Sequence, residues 1–133
     1  MVVDDIKRLT KDWLVKAEGD LRVAKQISQA SNPVNSSVVY HAEQCVEKCI
    51  KAVITEEGNK APRTHELVEL IDMIKKPEDL ANFRPILQQW DERGYAVEVR
   101  YPTGTASSTD TREALEVAEN FMQKTCNILG TKK

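Results

Sequence analysis

Apolar residues recur at steps of three and four along most of this chain, and that spacing commits it to helices. In the N-terminal segment they fall at Ile6, Leu9, Trp13, Ala17, Leu21, Ala24 and Ile27, which places them on one face of a helix. Ser31-Asn32-Pro33 then interrupts the pattern with turn residues. A second helix is expected to start between Asn35 and Ser37, any of which is a capping residue, and to run through Ile54 to a stop at Gly58.

Beyond the loop from Asn59 to Pro62, Thr64 is placed to cap a short helix carrying Leu67, Leu70, Ile71 and Ile74. Pro77-Glu78-Asp79 reads as a new helix start, with Phe83, Leu87 and Trp90 as its stripe and Pro85 as a kink or split. Tyr95, Val97, Val99 and Tyr101 alternate, the mark of extended backbone, but no second strand pattern exists to pair with them. A last helix is expected near Thr109 or Asp110, with Glu113 in a capping position. Its stripe runs Ala114, Leu115, Ala118, Phe121, Met122, Thr125 and Leu129, and Gly130 follows. The expected fold is all-α: an antiparallel, up-and-down bundle of about five helices, three long and two short, forming a single domain over residues 1–133.

A chain of 133 residues is long enough for one core without disulfides or a structural metal. Net charge is −2, which excludes a strongly basic surface and disfavours a long nucleic-acid track, while leaving room for a local cationic pocket. No arginine-rich recognition helix speaks for DNA. No apolar run approaches the roughly 18 residues of a membrane span, so no membrane association is expected. The first residues lack a cationic start followed by an apolar stretch, and the three cysteines are an odd number, so a reducing cytoplasmic setting with free thiols is expected. Glycine-rich phosphate loops, C-x-x-C and G-x-S-x-G are absent, and no cofactor is implied.

The segment HAEQCVEKCIKA, His41 to Ala52, sets a histidine and two cysteines four residues apart in series. With Val38 at 0° and about 100° per residue, Cys45 and Cys49 fall inside the apolar arc, and His41 and Lys48 at its border, roughly 280–300°. His41 and Cys49 are separated by about 12 Å along the axis, too far for one zinc ion. The cysteines read as core thiols and no metal site is expected. Gln44, Glu47 and Lys51 follow on the polar side. The simplest reading of His41, Gln44, Lys48 and Lys51 is a solvated helix face, with Glu47 and Lys51 as an ordinary i,i+4 pair.

Two further places carry suggestive chemistry. Arg63-Thr64-His65 precedes a helix, where free backbone amides can hold an anion; a simple cap is the competing reading. Arg100-Tyr101-Pro102 lies in a connection, where functional residues concentrate; a packed corner competes.

Taken in order, these pieces resemble the HEPN (higher eukaryote and prokaryote nucleotide-binding) family. The resemblance rests on Trp13, Ala17 and Asp20-Leu21, on His41, Gln44, Glu47-Lys48 and Lys51-Ala52, on Arg63-Thr64-His65-Glu66-Leu67, and on Arg100-Tyr101-Pro102. It implies an antiparallel helical bundle that forms homodimers and is paired with a minimal nucleotidyltransferase, as in toxin–antitoxin systems. Several HEPN branches are metal-independent ribonucleases marked by an arginine followed four to six residues later by a histidine. Neither His41 nor His65 has an arginine at that spacing upstream.

The first functional expectation is therefore a nucleotide- or phosphate-binding module using His41, Gln44, Lys48, Lys51, Arg63, His65, Arg100 and Tyr101. Arginine supplies a planar fork for phosphate, lysine a point charge, and tyrosine a stacking surface. The second is a metal-independent ribonuclease, with His41 as general base and Arg100 stabilising the developing charge. The third is a dimeric interaction protein with no small ligand.

Overall fold

The computed structural model describes residues 2–93 and 106–130. It is all-helical over that range: α1 (Val3–Ser28), α2 (Asn35–Glu56), α3 (Leu67–Ile71), a 3-10 turn (Ala81–Phe83), α4 (Arg84–Arg93) and α5 (Ser108–Leu129). Three helices are long and two short, as the periodicity predicts. The alternating segment around Tyr95–Tyr101 lies outside the described residues.

Several boundaries have a local cause; the start of α2 does not have the expected one, since its N-cap position is Val34, with no side-chain cap, and Asn35 already lies inside the helix. Asp4 and Asp5 in the first turn of α1 and Lys25 in its last turn complement the helix dipole. After α2, Gly58 takes φ +90°, and its amide and that of Asn59 donate to Thr55 O and Ile54 O. Pro77 opens a turn, its carbonyl accepting from the Leu80 and Ala81 amides at 2.8 and 2.7 Å. Pro85 splits the predicted stripe: a 3-10 turn precedes it, and it occupies the second position of α4, where a missing N–H breaks no helical bond. The cap of α5 differs from expectation. Ser107 Oγ accepts from the Asp110 amide at 3.0 Å and the Asp110 carboxylate accepts from the Ser107 amide at 2.9 Å, so the box is Ser107/Asp110, and not a start at Thr109 or Asp110 with Glu113 as its capping partner.

Helix α1 runs antiparallel to α2, since Thr10 faces Glu56 and Asp20 faces His41. It also runs antiparallel to α5, because Lys25 reaches Glu119 while Leu14 shares a groove with Cys126 and Leu129. The segment through α3 and α4 carries the chain back before α5 begins. Helix α2 is central, with fifteen of its 22 residues buried. Leu21, Ile50, Ile54, Leu70, Leu87, Trp90 and Phe121 lead the core, and Phe83 meets Phe121 edge-on at 4.9 Å between ring centroids.

Candidate functional site: a carboxylate-held seam between the first two helices

The antiparallel register of α1 and α2 brings Asp20 and Trp13 against the α2 face that carries His41, Gln44, Lys48 and Lys51. Two groups result. In the first, His41 Nδ1 lies 3.0 Å from Asp20 Oδ1, and Lys48 Nζ donates to Asp20 Oδ2. A carboxylate only accepts, so this contact puts the imidazole proton on Nδ1 and leaves Nε2 as the second, outward-acting nitrogen. His41 keeps 29% of its side-chain exposure and Lys48 21%, whereas Asp20 keeps 14%. The carboxylate is the anchor and the two cationic or basic heads are what solvent meets. Tyr40 packs edge-on against His41, centroids 5.2 Å apart.

In the second group, Lys51 Nζ donates to Glu47 Oε2 at 3.0 Å, and His65 Nδ1 meets Glu47 Oε1 at 3.0 Å. Lys51 Nζ also stands 5.5 Å from the centroid of the Trp13 ring, as does Lys16 Nζ. The Glu47 and Lys51 side chains are 4% and 6% exposed, while His65, brought in by the loop before α3, is 62% exposed. Glu47 thus holds His65 as Asp20 holds His41. On α2, His41 and Glu47 are about 9 Å apart along the axis at 1.5 Å per residue.

The expected solvated face is corrected by this packing. Gln44, Glu47 and Lys51 are buried. The Glu47–Lys51 pair exists at its expected spacing, but it lies inside the protein, covered by Trp13 and the loop carrying His65. The helix start after Arg63-Thr64-His65 also differs from expectation. Its amides at Leu67 and Val68 both donate to the Asp91 carboxylate of α4, each at 2.9 Å, so an internal anion occupies them. Thr64 Oγ1 accepts from the Glu66 amide at 3.1 Å instead of capping the helix directly. Arg63 is exposed, two residues from His65. Arg100 and Tyr101 lie outside the described residues.

The thiols are core groups. Cys45, Cys49 and Cys126 are buried and unpaired by disulfide, and Cys49 Sγ lies 3.4 Å from Met122 Sδ. Burial, reinforced by Cys45, pushes the Cys49 thiol well above its usual range, which suppresses thiolate chemistry. Among the described residues no group of three metal-binding side chains occurs, and no helix is long and apolar enough to cross a membrane.

Sequence reasoning missed Asp20 as the organising residue. The signal that would have found it is register: α1 and α2 joined by a short turn, with Trp13 and Asp20 seven residues apart on one flank of α1.

The HEPN domain model matches residues 10–129, and the chain belongs to that family. The chain is also similar to a protein of Methanocaldococcus jannaschii named "Putative toxin MJ1304", with 28% identity over 140 aligned positions that cover 94% of this chain and 91% of that protein. No solved structure matches the chain significantly.

Proposed function

We propose that this HEPN domain binds the phosphate of a nucleotide at the α1–α2 seam and acts as the toxin-type member of a pair with a minimal nucleotidyltransferase. The observation that carries the reading is the single Asp20 carboxylate bridging His41 and Lys48. It fixes an imidazole and an ammonium side by side, part-exposed, before any ligand arrives. Preorganised donors lose little freedom on binding, which favours an anion with several acceptor oxygens. Lys48 has three donors and spends one on Asp20.

His65, fixed by Glu47, extends the site, and Arg63, exposed and two residues before it in sequence, is the nearest candidate to join it. Arg63 offers the bidentate fork that phosphate accepts best. Arg100 and Tyr101 complete the proposal as a second cation and a base-stacking ring. Gln44 and Lys51 support the site from beneath, since both are buried. The name of the relative from Methanocaldococcus jannaschii supports the toxin-type assignment, and family membership supports the pairing. The test is thermal stabilisation by ATP at low salt, lost in Lys48→Ala and in Arg63→Ala. Absence of any shift with millimolar nucleotide refutes it.

A second reading is favoured by the same Asp20–His41 contact. A carboxylate-oriented imidazole is the arrangement of a general base, and His41 Nε2 would take the proton of an RNA 2′-hydroxyl while Arg100 steadies the phosphate. Metal-independent RNA cleavage in EDTA, abolished by His41→Ala, distinguishes it. RNA left intact after long incubation removes it for the isolated protein. If nucleotide and RNA are both ignored and the chain still copurifies with a nucleotidyltransferase, the third reading, an interaction protein without a ligand, stands.

A further inference from the structure

The seam holds an aromatic ring to which phosphate binding gives no role. Trp13 lies on the α2 flank of α1, seven residues before Asp20 and therefore about 10 Å from it along the helix axis. It packs against the core yet is only partly buried, so the ring is fixed in place and still reachable. Two ammonium groups stand 5.5 Å from its centroid, Lys51 Nζ from α2 and Lys16 Nζ from the next turn of α1.

The two lysines differ in what holds them. Lys51 is buried and paired with Glu47, so it cannot leave the ring without stranding a buried carboxylate. Lys16 is exposed, on a flexible four-carbon stem. An exposed ammonium that reaches the ring marks a π-surface that a ligand can reach as well. A cation–π contact at an exposed position is weak, and a nucleobase stacked on an aromatic side chain is held more strongly, so a base can take the place of Lys16.

We infer that Trp13 is the base platform of the seam. The inference rests on the nucleotide reading above and gives the ligand a class and a direction. A nucleoside polyphosphate lies along α1, its base stacked on Trp13 and its terminal phosphate at His41 and Lys48. Two helical turns separate the two ends, a span that a base, a ribose and a chain of phosphates fill together. Lys16 lies between them along the axis, three residues after Trp13 and four before Asp20, so the ammonium released from the ring falls beside the phosphates. The stacking role then does not fall to Tyr101 alone.

Isothermal titration calorimetry of the full chain with ATP, and separately with inorganic tripolyphosphate, tests the two ends of the site independently. Trp13→Leu is expected to lose about tenfold or more in ATP affinity and to bind tripolyphosphate as the wild type does. Trp13→Phe, whose smaller ring still stacks, is expected to keep most of the ATP affinity. An equal loss for both ligands, or a loss for neither, overturns the inference and leaves phosphate binding standing. A wild type that binds neither ligand overturns both.

If Trp13→Leu does not fold, the wild type decides by two-dimensional NMR of its two indole N–H groups, with Trp13→Phe assigning them. ATP is expected to shift the Trp13 signal and to leave that of the fully buried Trp90 in place. A Trp13 signal unmoved by saturating ATP, or moved equally by tripolyphosphate, overturns the inference.

Discussion

Asp20 and His41 meet at 3.0 Å across two helices, twenty-one residues apart in sequence, and the same carboxylate takes the Lys48 ammonium on its other oxygen. One acid therefore sets the position of two groups that solvent can reach. All three side chains are part-buried, His41 and Lys48 somewhat less than Asp20, so the carboxylate holds the two groups in place while each keeps some access to solvent.

Replacing Asp20 by alanine removes the acceptor for both heads. Lys48 and His41 are part-buried, so the loss is expected to destabilise the fold by about 1–3 kcal/mol. Urea denaturation of Asp20→Ala checks this, and Asp20→Asn is expected to fall between the variant and the wild type. A variant as stable as the wild type would mean the contact is not formed in solution.

The Glu47–Lys51 pair behaves differently because both side chains are almost fully covered. Removing one partner strands a charge in the interior, at a cost of about 3–5 kcal/mol. The expectation is that Glu47→Leu and Lys51→Met are each severely destabilised, while the double variant recovers most of the loss. A double variant equal to the sum of the singles would show that the two residues do not interact.

Asp91 ties α4 to the start of α3 through two amides. Alanine there leaves the Leu67 and Val68 N–H groups without that acceptor, beside a fully buried Leu67. A loss of about 1–3 kcal/mol is expected, with faster amide hydrogen exchange at Leu67 and Val68 than elsewhere in the core. Unchanged exchange at those two positions would contradict the assignment.

Asp72 accepts two hydrogen bonds from Arg84, at 2.9 Å each, and these hold its carboxyl below the usual carboxylate range. A depressed folded-state value means the contact stabilises the fold above the unfolded carboxyl's pKa of about 3.9 and is lost as pH falls through the lower folded value. The pair is exposed, so its effect on stability is small. The direct readout is carboxyl carbon chemical shift against pH: Asp72 titrates below the usual carboxylate range, and Arg84→Ala returns it to that range.

The long helices were legible in the sequence because a 3.6-residue period over 22 to 26 residues has no competing explanation. The Cys45 and Cys49 thiols were placed in the core by the same geometry, and His41 and Lys48 at its border. The wheel failed at Gln44, Glu47 and Lys51 because it assigns one buried face per helix. Helix α2 is packed by α1 on one side and α5 on another, with the loop before α3 closing over Glu47, so its polar residues are covered too. In the sequence, Asp20 is marked only by the family resemblance. Its role depends on helix register, which no local pattern encodes. Asp91 escaped for the same reason, since its partners lie 23 and 24 residues away.

The central claim is that the seam held by Asp20 receives nucleotide phosphate, and titration of the isotopically labelled protein with ATP, followed by two-dimensional NMR, tests it most directly. Saturable shifts are expected at His41, Lys48, Arg63 and His65, including the His41 imidazole, and Asp20→Ala is expected to abolish those at His41 and Lys48. Shifts confined to the groove between α1 and α5, or none at millimolar ATP, would contradict the account.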